Sequence, residues 1–472
     1  VTWRNWSGAV RCNPAEIAKP GTEAEVAEIL VRAAAEGRTV RPVGAGHSFT
    51  PLVATDDVLV SLDGLSGVVA ANPFTGDVTL WGGTRIRDIA QLLAPWGLAL
   101  PNMGDIDAQS IAGAVSTGTH GTGLGYTGYS GIVTGLKLAL PDGSLVEAHS
   151  LVEPASSTSS VETPRRSDGK QGGSRGFDAA APLASSGAAG STSVFEAARV
   201  GLGVMGIITR VTLRCVPAFA LECTETTEPV DALLESYLER SRRADHLEFF
   251  WFPGTRRATV KELRRLPPLS PTRPMSRLDR LVKRELLGNV AFGAMDAAAA
   301  KVPALARPVR QVASRFMAGA TFSDASHRVY VAPRRVRFRE TEYAMPVEAF
   351  GEVVREVERA IVASGEQITF PMEVRTAAAD DTWLGTASGR ESVYVAVHRY
   401  HRERFEPLLT AVEPVFRAHE GRPHWGKEHS LTADRLAGLY PRFDDFRAAR
   451  AAVDPDGVLL NPHTRALLGI EG

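Results

Sequence analysis

Arg41-Pro42-Val43-Gly44-Ala45-Gly46-His47-Ser48-Phe49-Thr50-Pro51 is the stretch whose reading decides the fold. Val40 to Val43 reads as a short strand, and it feeds a turn of two glycines and an alanine. Residues this small let backbone N–H groups converge on a phosphate or a flat cofactor. His47 follows at once and can reach whatever the turn holds. Taken alone, the segment also reads as an ordinary strand-to-loop turn. A second stretch, Ser110-Ile111-Ala112-Gly113-Ala114-Val115-Ser116-Thr117-Gly118-Thr119-His120-Gly121-Thr122-Gly123, tips the balance. Its glycines and hydroxyls suit a loop that meets a pyrophosphate with amides and side-chain oxygens. It has neither the Gly-Lys-Ser/Thr of a P-loop nor the Gly-x-Gly-x-x-Gly placement of a Rossmann unit. Two such segments favour a cofactor site over two solvent-exposed turns.

The chain has 472 residues and a net charge of −1, so it can bury a large core and gives no global electrostatic case for nucleic acid or membrane. Cys12, Cys215 and Cys223 are widely spaced and odd in number, which suggests neither a disulfide framework nor a metal set and fits a reducing, cytoplasmic setting. No secretory signal or membrane-spanning run is visible; peripheral membrane association stays open.

Around the opening segment, helix and strand signals alternate. Thr22 and Glu25 form a capping box for a helix with Val26, Ile29, Leu30 and Ala33 on one face, ended by Gly37. Strands are expected over 58–62 and 78–81. Thr84 is expected to cap a helix that turns Ile86, Ile89, Ala90 and Leu93 inward. Residues 150–193, dominated by Ser, Gly, Ala, Pro and Thr, read as a disordered insertion, because they bury too little to offset ordering entropy. Structure resumes at Val194, with a strand over 206–213. An aromatic strand follows over 246–252. Residues 256–284 are rich in Arg and Lys and read as a solvated, mobile basic connection, with an anionic partner or membrane surface as the functional alternative. A helix over 347–363 and strands over 368–375 and 393–400 complete the pattern. The fold class is α+β.

The two glycine segments resemble the flavin-binding segments of the vanillyl-alcohol-oxidase (PCMH) type of FAD domain. Glu373-Val374-Arg375, His424-Trp425-Gly426-Lys427 and the run from Asp454 to Pro462 narrow the likeness to the sugar-1,4-lactone oxidoreductases, with alditol oxidases as kin. The resemblance implies a two-part FAD-binding domain and a substrate domain on an antiparallel sheet. The divisions would be 1–217, 218–423, and 424–472 returning to the first. It implies that Pro42, Val43, Gly44, Ala45, Gly46, His47 and Ser48 wrap the FAD, with His47 bonded to the flavin 8α carbon or standing beside it as a spectator. Asp105, Ser110, Gly113, Thr117, Gly118, Thr119 and His120 would line the pyrophosphate and ring, with Ile208 adding backbone contacts. The electron acceptor would be oxygen or a redox carrier.

The chemistry sets its own demands. Oxidising a sugar C–OH moves a hydride to the flavin and a proton to a base, and leaves negative charge on the ring. Glu373 and Arg375, two apart on a strand, point to the same face and can hold a hydroxyl from both sides. By spacing alone a surface ion pair is the commoner arrangement; the resemblance assigns them to the substrate. Lys427 is expected near the reduced flavin. His398 is expected at the substrate or as a packed histidine. His424 and His429 suggest no metal geometry. Related alditol oxidases carry a small hydroxyl residue where this chain has Asp105, which favours a cyclic lactone (gulono-, galactono- or arabinono-) over a linear polyol. The remaining alternative is a non-catalytic sugar-binding protein with a relict flavin fold.

Overall fold

The computed structural model describes residues 2–150, 188–316, 319–332 and 334–471. In a three-stranded parallel sheet, Val58–Ser61 lies between Glu16–Ala18 and Val40–Val43. Val58, Leu59 and Val60 are fully buried, which is why that strand reads as an unbroken apolar run. Helix Glu23–Ala35 packs Val26, Leu30 and Ala33 onto this core. Thr22 caps it by accepting the Glu25 N–H at 3.2 Å. The reciprocal half of the capping box is displaced by one residue, because the Glu25 carboxylate accepts from the Gly21 N–H at 2.7 Å.

A five-stranded antiparallel sheet follows, ordered Leu145–His149, Val133–Ala139, Ile207–Arg214, Asp77–Trp81, Val68–Asn72. Helix Ile86–Leu93 buries Ile86, Ile89 and Leu93 as expected, but Thr84 does not cap it. Its hydroxyl turns back to the Trp81 carbonyl at 2.7 Å and accepts from the Gly67 N–H, tying down the turn before the helix. The insertion expected over 150–193 falls mostly outside the described residues. The described residues resume with helix Ala188–Ala198, which starts ahead of the expected Val194 and includes several alanines, the strongest helix formers.

The second half is built on one eight-stranded sheet. Its order is Thr321–Ala325, Ala220–Pro229, Arg257–Arg265, His246–Trp251, Met372–Ala377, Ser392–Tyr400, Phe338–Pro346, Arg422–Pro423, with every neighbour antiparallel. One face carries Phe249, Val374 and Val395 into a core shared with helices Val230–Arg243, Phe350–Ser364 and Glu406–Ala418. The other face carries charged residues, and it is buried too. The basic stretch over 256–284 is therefore no mobile connection in its first part. Arg257–Arg265 is an interior strand, with Ala258, Val260 and Leu263 buried and the charge of Lys261 answered by Glu248. The strand expected over 368–375 starts late, at Met372, since Pro371 has no N–H to give the ladder.

Candidate active site

The two glycine segments meet face to face. A Cβ on Gly44 would stand 2.3 Å from Ser110 Oγ, so only glycine lets the loops approach this closely. Ser110 Oγ is itself fixed, accepting the Gly113 N–H at 3.3 Å. The 41–54 loop is clamped from the far end of the chain. Asn461 donates to the carbonyls of Pro51, Leu52 and Ala54, and Thr50 donates to Trp425 O. Buried Arg41 gathers the carbonyls of Leu52, Leu202, Gly203 and Leu459. Burial pulls its guanidinium down to about 9. Asp454 accepts the Val458 and Leu459 N–H groups at 2.9 Å each. The motif from Asp454 to Pro462 thus shapes the loop rather than the chemistry.

Between the loops lies a cleft of about 1430 Å³. Pro42, Val43, Gly44, Ala45, Gly46, His47 and Ser48 line it, as do Asp105, Ser110, Gly113, Thr117, Thr119, His120 and Ile208. Gly118 does not: its φ of +71° serves a turn, and a Cβ there would face Val200. The His47 ring stacks on Trp6, centroids 5.0 Å apart. Burial, helped by the charges of Lys427 and Arg85, lowers its pKa to about 4, so the imidazole is neutral near pH 7.

The cleft ends on the charged face of the large sheet, where strand register sets the neighbours. Arg375 lies opposite Tyr394, and Glu373 opposite Ala396, which in turn lies opposite Glu342; His398 lies opposite Glu340. Arg375 is bonded to Glu373 and lies 3.2 Å from Glu248 and 3.3 Å from Asp105. Burial works against its charge, but these carboxylates outweigh it and hold the guanidinium firmly protonated. Burial raises the Glu373 pKa, opposed by Arg375 and reinforced by Asp105 and Glu248. Asp105 is held far below the usual carboxylate range, burial being outweighed by Arg334, at 2.8 Å, and Arg375.

Lys427 is bonded to Glu340 and lies 5.3 Å above the Phe49 ring. Burial notwithstanding, Lys427 and His398 pull Glu340 down to about 2. His398 Nδ1 lies 3.2 Å from Pro371 O, and its Nε2 faces Glu340 at 3.5 Å and Glu373 at 3.9 Å. Lys427 and Arg375 line the cleft itself; Glu373 and His398 stand one layer further along the sheet.

Four residues here were not legible in the sequence: Glu248, Arg334, Glu340 and Glu342. Each is an unremarkable charge in its own segment, and only strand pairing gathers them. Glu342 also revises the reading of the histidines. It forms a buried group with His120 and His424, ligand atoms within 4.8 Å, and His429 is not part of it. His424 Nδ1 already accepts the Gly426 N–H at 3.1 Å, and the cation Lys427 acts on both His424 and Glu342, which argues against a metal ion there.

Fold and cleft define a flavin-dependent oxidoreductase of the vanillyl-alcohol-oxidase type. Residues 14–149 match an FAD binding domain model, and residues 211–467 match the D-arabinono-1,4-lactone oxidase model. The chain is 35% identical to the L-gulono-1,4-lactone dehydrogenase of Mycobacterium tuberculosis over 99% of both chains. It is 26% identical to Bos taurus L-gulonolactone oxidase, covering 98% of this chain and 97% of that one, and 28% identical to a Streptomyces alditol oxidase over 98% of each. The cholesterol oxidase of B. sterolicum shares the fold, with a TM-score of 0.75 at 17% identity over 99% of this chain and 96% of that one. The chain belongs to the D-arabinono-1,4-lactone oxidase family.

Proposed function

We propose that the chain oxidises a sugar-1,4-lactone at the hydroxyl beside the carbonyl, using FAD held between the two glycine loops. The carrying observation is that the loop-lined cleft runs directly onto Arg375 and Lys427. The residues present fit FAD: bare backbone of the two glycine loops lines one end of the cleft and two cations line the other. FAD supplies the hydride acceptor. Everything else falls to side chains. Arg375 orients the substrate oxygen. Glu373, with its raised pKa, accepts the hydroxyl proton and can pass it to His398 Nε2, 3.9 Å away. Lys427 and Arg375 stabilise negative charge at the end of the cleft. Pro42 to Ser48, with Asp105, Ser110, Gly113, Thr117, Thr119, His120 and Ile208, hold the cofactor. We assign residues 1–217 and 424–472 to FAD and 218–423 to the substrate.

His47 is the residue we propose bonds the flavin 8α carbon; a neutral imidazole with a free lone pair suits that bond. Cys12, Cys215 and Cys223 are buried and free, which supports a reducing, cytoplasmic compartment. No helix among the described residues is long and apolar enough to cross a membrane.

The test is anaerobic reduction of the yellow protein by L-gulono-, L-galactono- or D-arabinono-1,4-lactone. Bleaching by a lactone but not by xylitol or sorbitol supports the reading. Bleaching by the polyols alone makes the chain an alditol oxidase, and no bleaching leaves a relict fold. Acid precipitation addresses His47: colour should stay with the pellet and move to the supernatant in His47→Ala.

A further inference from the structure

A second cavity opens over the far half of the same sheet face. We propose that it receives a neutral apolar group carried by the substrate, so that the enzyme takes sugar lactones bearing an alkyl, acyl or aryl substituent remote from the reacting carbon. This rests on the lactone-oxidising reading above. The cavity spans about 1510 Å³ including its open mouth and adjoins the first cleft, for Asp105 lines both. The connection to the reacting centre is direct. Phe250, on the cavity wall, lies opposite Glu373 in the strand ladder and on the same face of the sheet. Side chains so paired sit ~5 Å apart, so a molecule held in the cleft by Arg375, itself bonded to Glu373, has this space within reach of its far end.

The lining states what the space is for. An unsubstituted aldonolactone is hydroxylated almost throughout, and the walls formed by Phe250, Met275, Leu287, Phe292, Met295 and Phe370 offer its hydroxyls no partners. The floor is charged, but its charges answer one another. Register places Arg375, Glu248, Lys261 and Glu225 in a single row across four strands, alternating in sign. Lys261 pairs with Glu248 at 2.9 Å, Arg284 with Glu225 at 2.6 Å, and Arg334 with Asp105 at 2.8 Å. Lys283 stands exposed at the rim. A charged ligand would have to break one of these pairs and leave a buried charge uncompensated. A neutral apolar group breaks none and gains from its own burial.

The experiment compares L-gulono-1,4-lactone with its 6-O-benzyl ether on the holoenzyme and on Met295→Trp, which fills the cavity from its cover. The wild type should favour the benzyl ether by at least about tenfold in kcat/KM, the scale of burying one aromatic ring. Met295→Trp should erase that preference while leaving turnover of the plain lactone within about twofold, since nothing in the first cleft changes. Calorimetry gives a readout independent of turnover: the benzyl ether should bind the wild type with a more negative heat-capacity change than the plain lactone, and the variant should lose the difference. Wild-type preference for the plain lactone, equal losses for both compounds in the variant, or a preference for a glycosyl-substituted lactone would overturn the proposal. The plain lactone separates the two readings. If it is not oxidised, the proposed function fails; if it is oxidised and no preference appears, only this inference does.

Discussion

The loop half and the sheet half of the site are made by opposite means. The loop half is backbone: Gly44, Ala45, Gly46 and Gly113 contribute by having almost no side chain, and they lie in two contiguous stretches of small residues. The sheet half is side-chain charge, brought together from four strands: Glu248, Glu340, Glu342, Glu373, Arg375 and His398, with Lys427 just beyond the last strand of the sheet. The first tolerates no added atom and the second no lost one. A site assembled from contiguous small residues can be read along the chain; one assembled across a sheet has no local signature.

The largest expected effect lies in the sheet half. Arg375→Met should lower kcat by roughly 10²–10³. It should also destabilise the fold by ~3–5 kcal/mol, because Glu373, Glu248 and Asp105 lose their common partner. Stopped-flow flavin reduction and urea unfolding measure the two. Near-normal rates would show that the guanidinium merely pairs carboxylates.

Gly44→Ala probes the loop half. The new methyl meets Ser110 Oγ, and retained FAD should fall together with ~1–3 kcal/mol of stability. Gly44→Ala combined with Ser110→Gly should recover part of both, measured by the ratio of visible to ultraviolet absorbance and by thermal melting. If the double variant is no better than the single, the contact between loops is not what the glycine protects.

Glu340→Gln tests a residue that acts through others. It should cut kcat by about tenfold with KM little changed, because Lys427 and His398 lose the carboxylate that positions them. Glu340→Asp should restore part of the rate. A change in KM alone would make Glu340 part of substrate binding instead.

The smallest effect separates the halves by pH. Burial lowers His246 to about 4 and His424 to about 3, from 6.5 in the unfolded chain. His246 is held neutral, with Nδ1 donating to Thr122 O at 2.7 Å and Nε2 2.8 Å from the Tyr330 hydroxyl. Below pH 6.5 the unfolded chain takes up protons that the fold refuses. Stability is thus complete above 6.5 and drains away as pH falls toward 4, by up to ~3 kcal/mol for a shift of this size. Melting temperature from pH 8 to 4 follows it, and His246→Gln should flatten the decline. An unchanged slope would show that the decline comes from the other buried histidines, His424 and His47 among them.

Three expectations show where local reading stopped. The capping box at Thr22 formed, but Glu25 chose the Gly21 N–H, one residue further back, a choice that depends on side-chain direction rather than spacing. The basic stretch over 256–284 looked solvated because its arginines and lysines were counted without Glu248, which lies on another strand and answers Lys261. Glu373 and Arg375 were placed on one face correctly, yet whether that face met solvent or a buried cleft was undetermined by alternation alone.

What this sequence determined by itself is the loop pair, the positions of most strands and helices, and the family whose motifs they carry. Glycine's backbone freedom and the 2.0 and 3.6 residue periods are local properties, present in any window that contains them. What only the tertiary structure decided is the electrostatics. The strand ladder turns separate charges into one row, and burying that row lets Arg375 hold three carboxylates while Glu373 keeps its raised pKa. The strength of a charge interaction depends on separation and on exclusion of water, and neither exists until the strands have paired and the loops have closed over them.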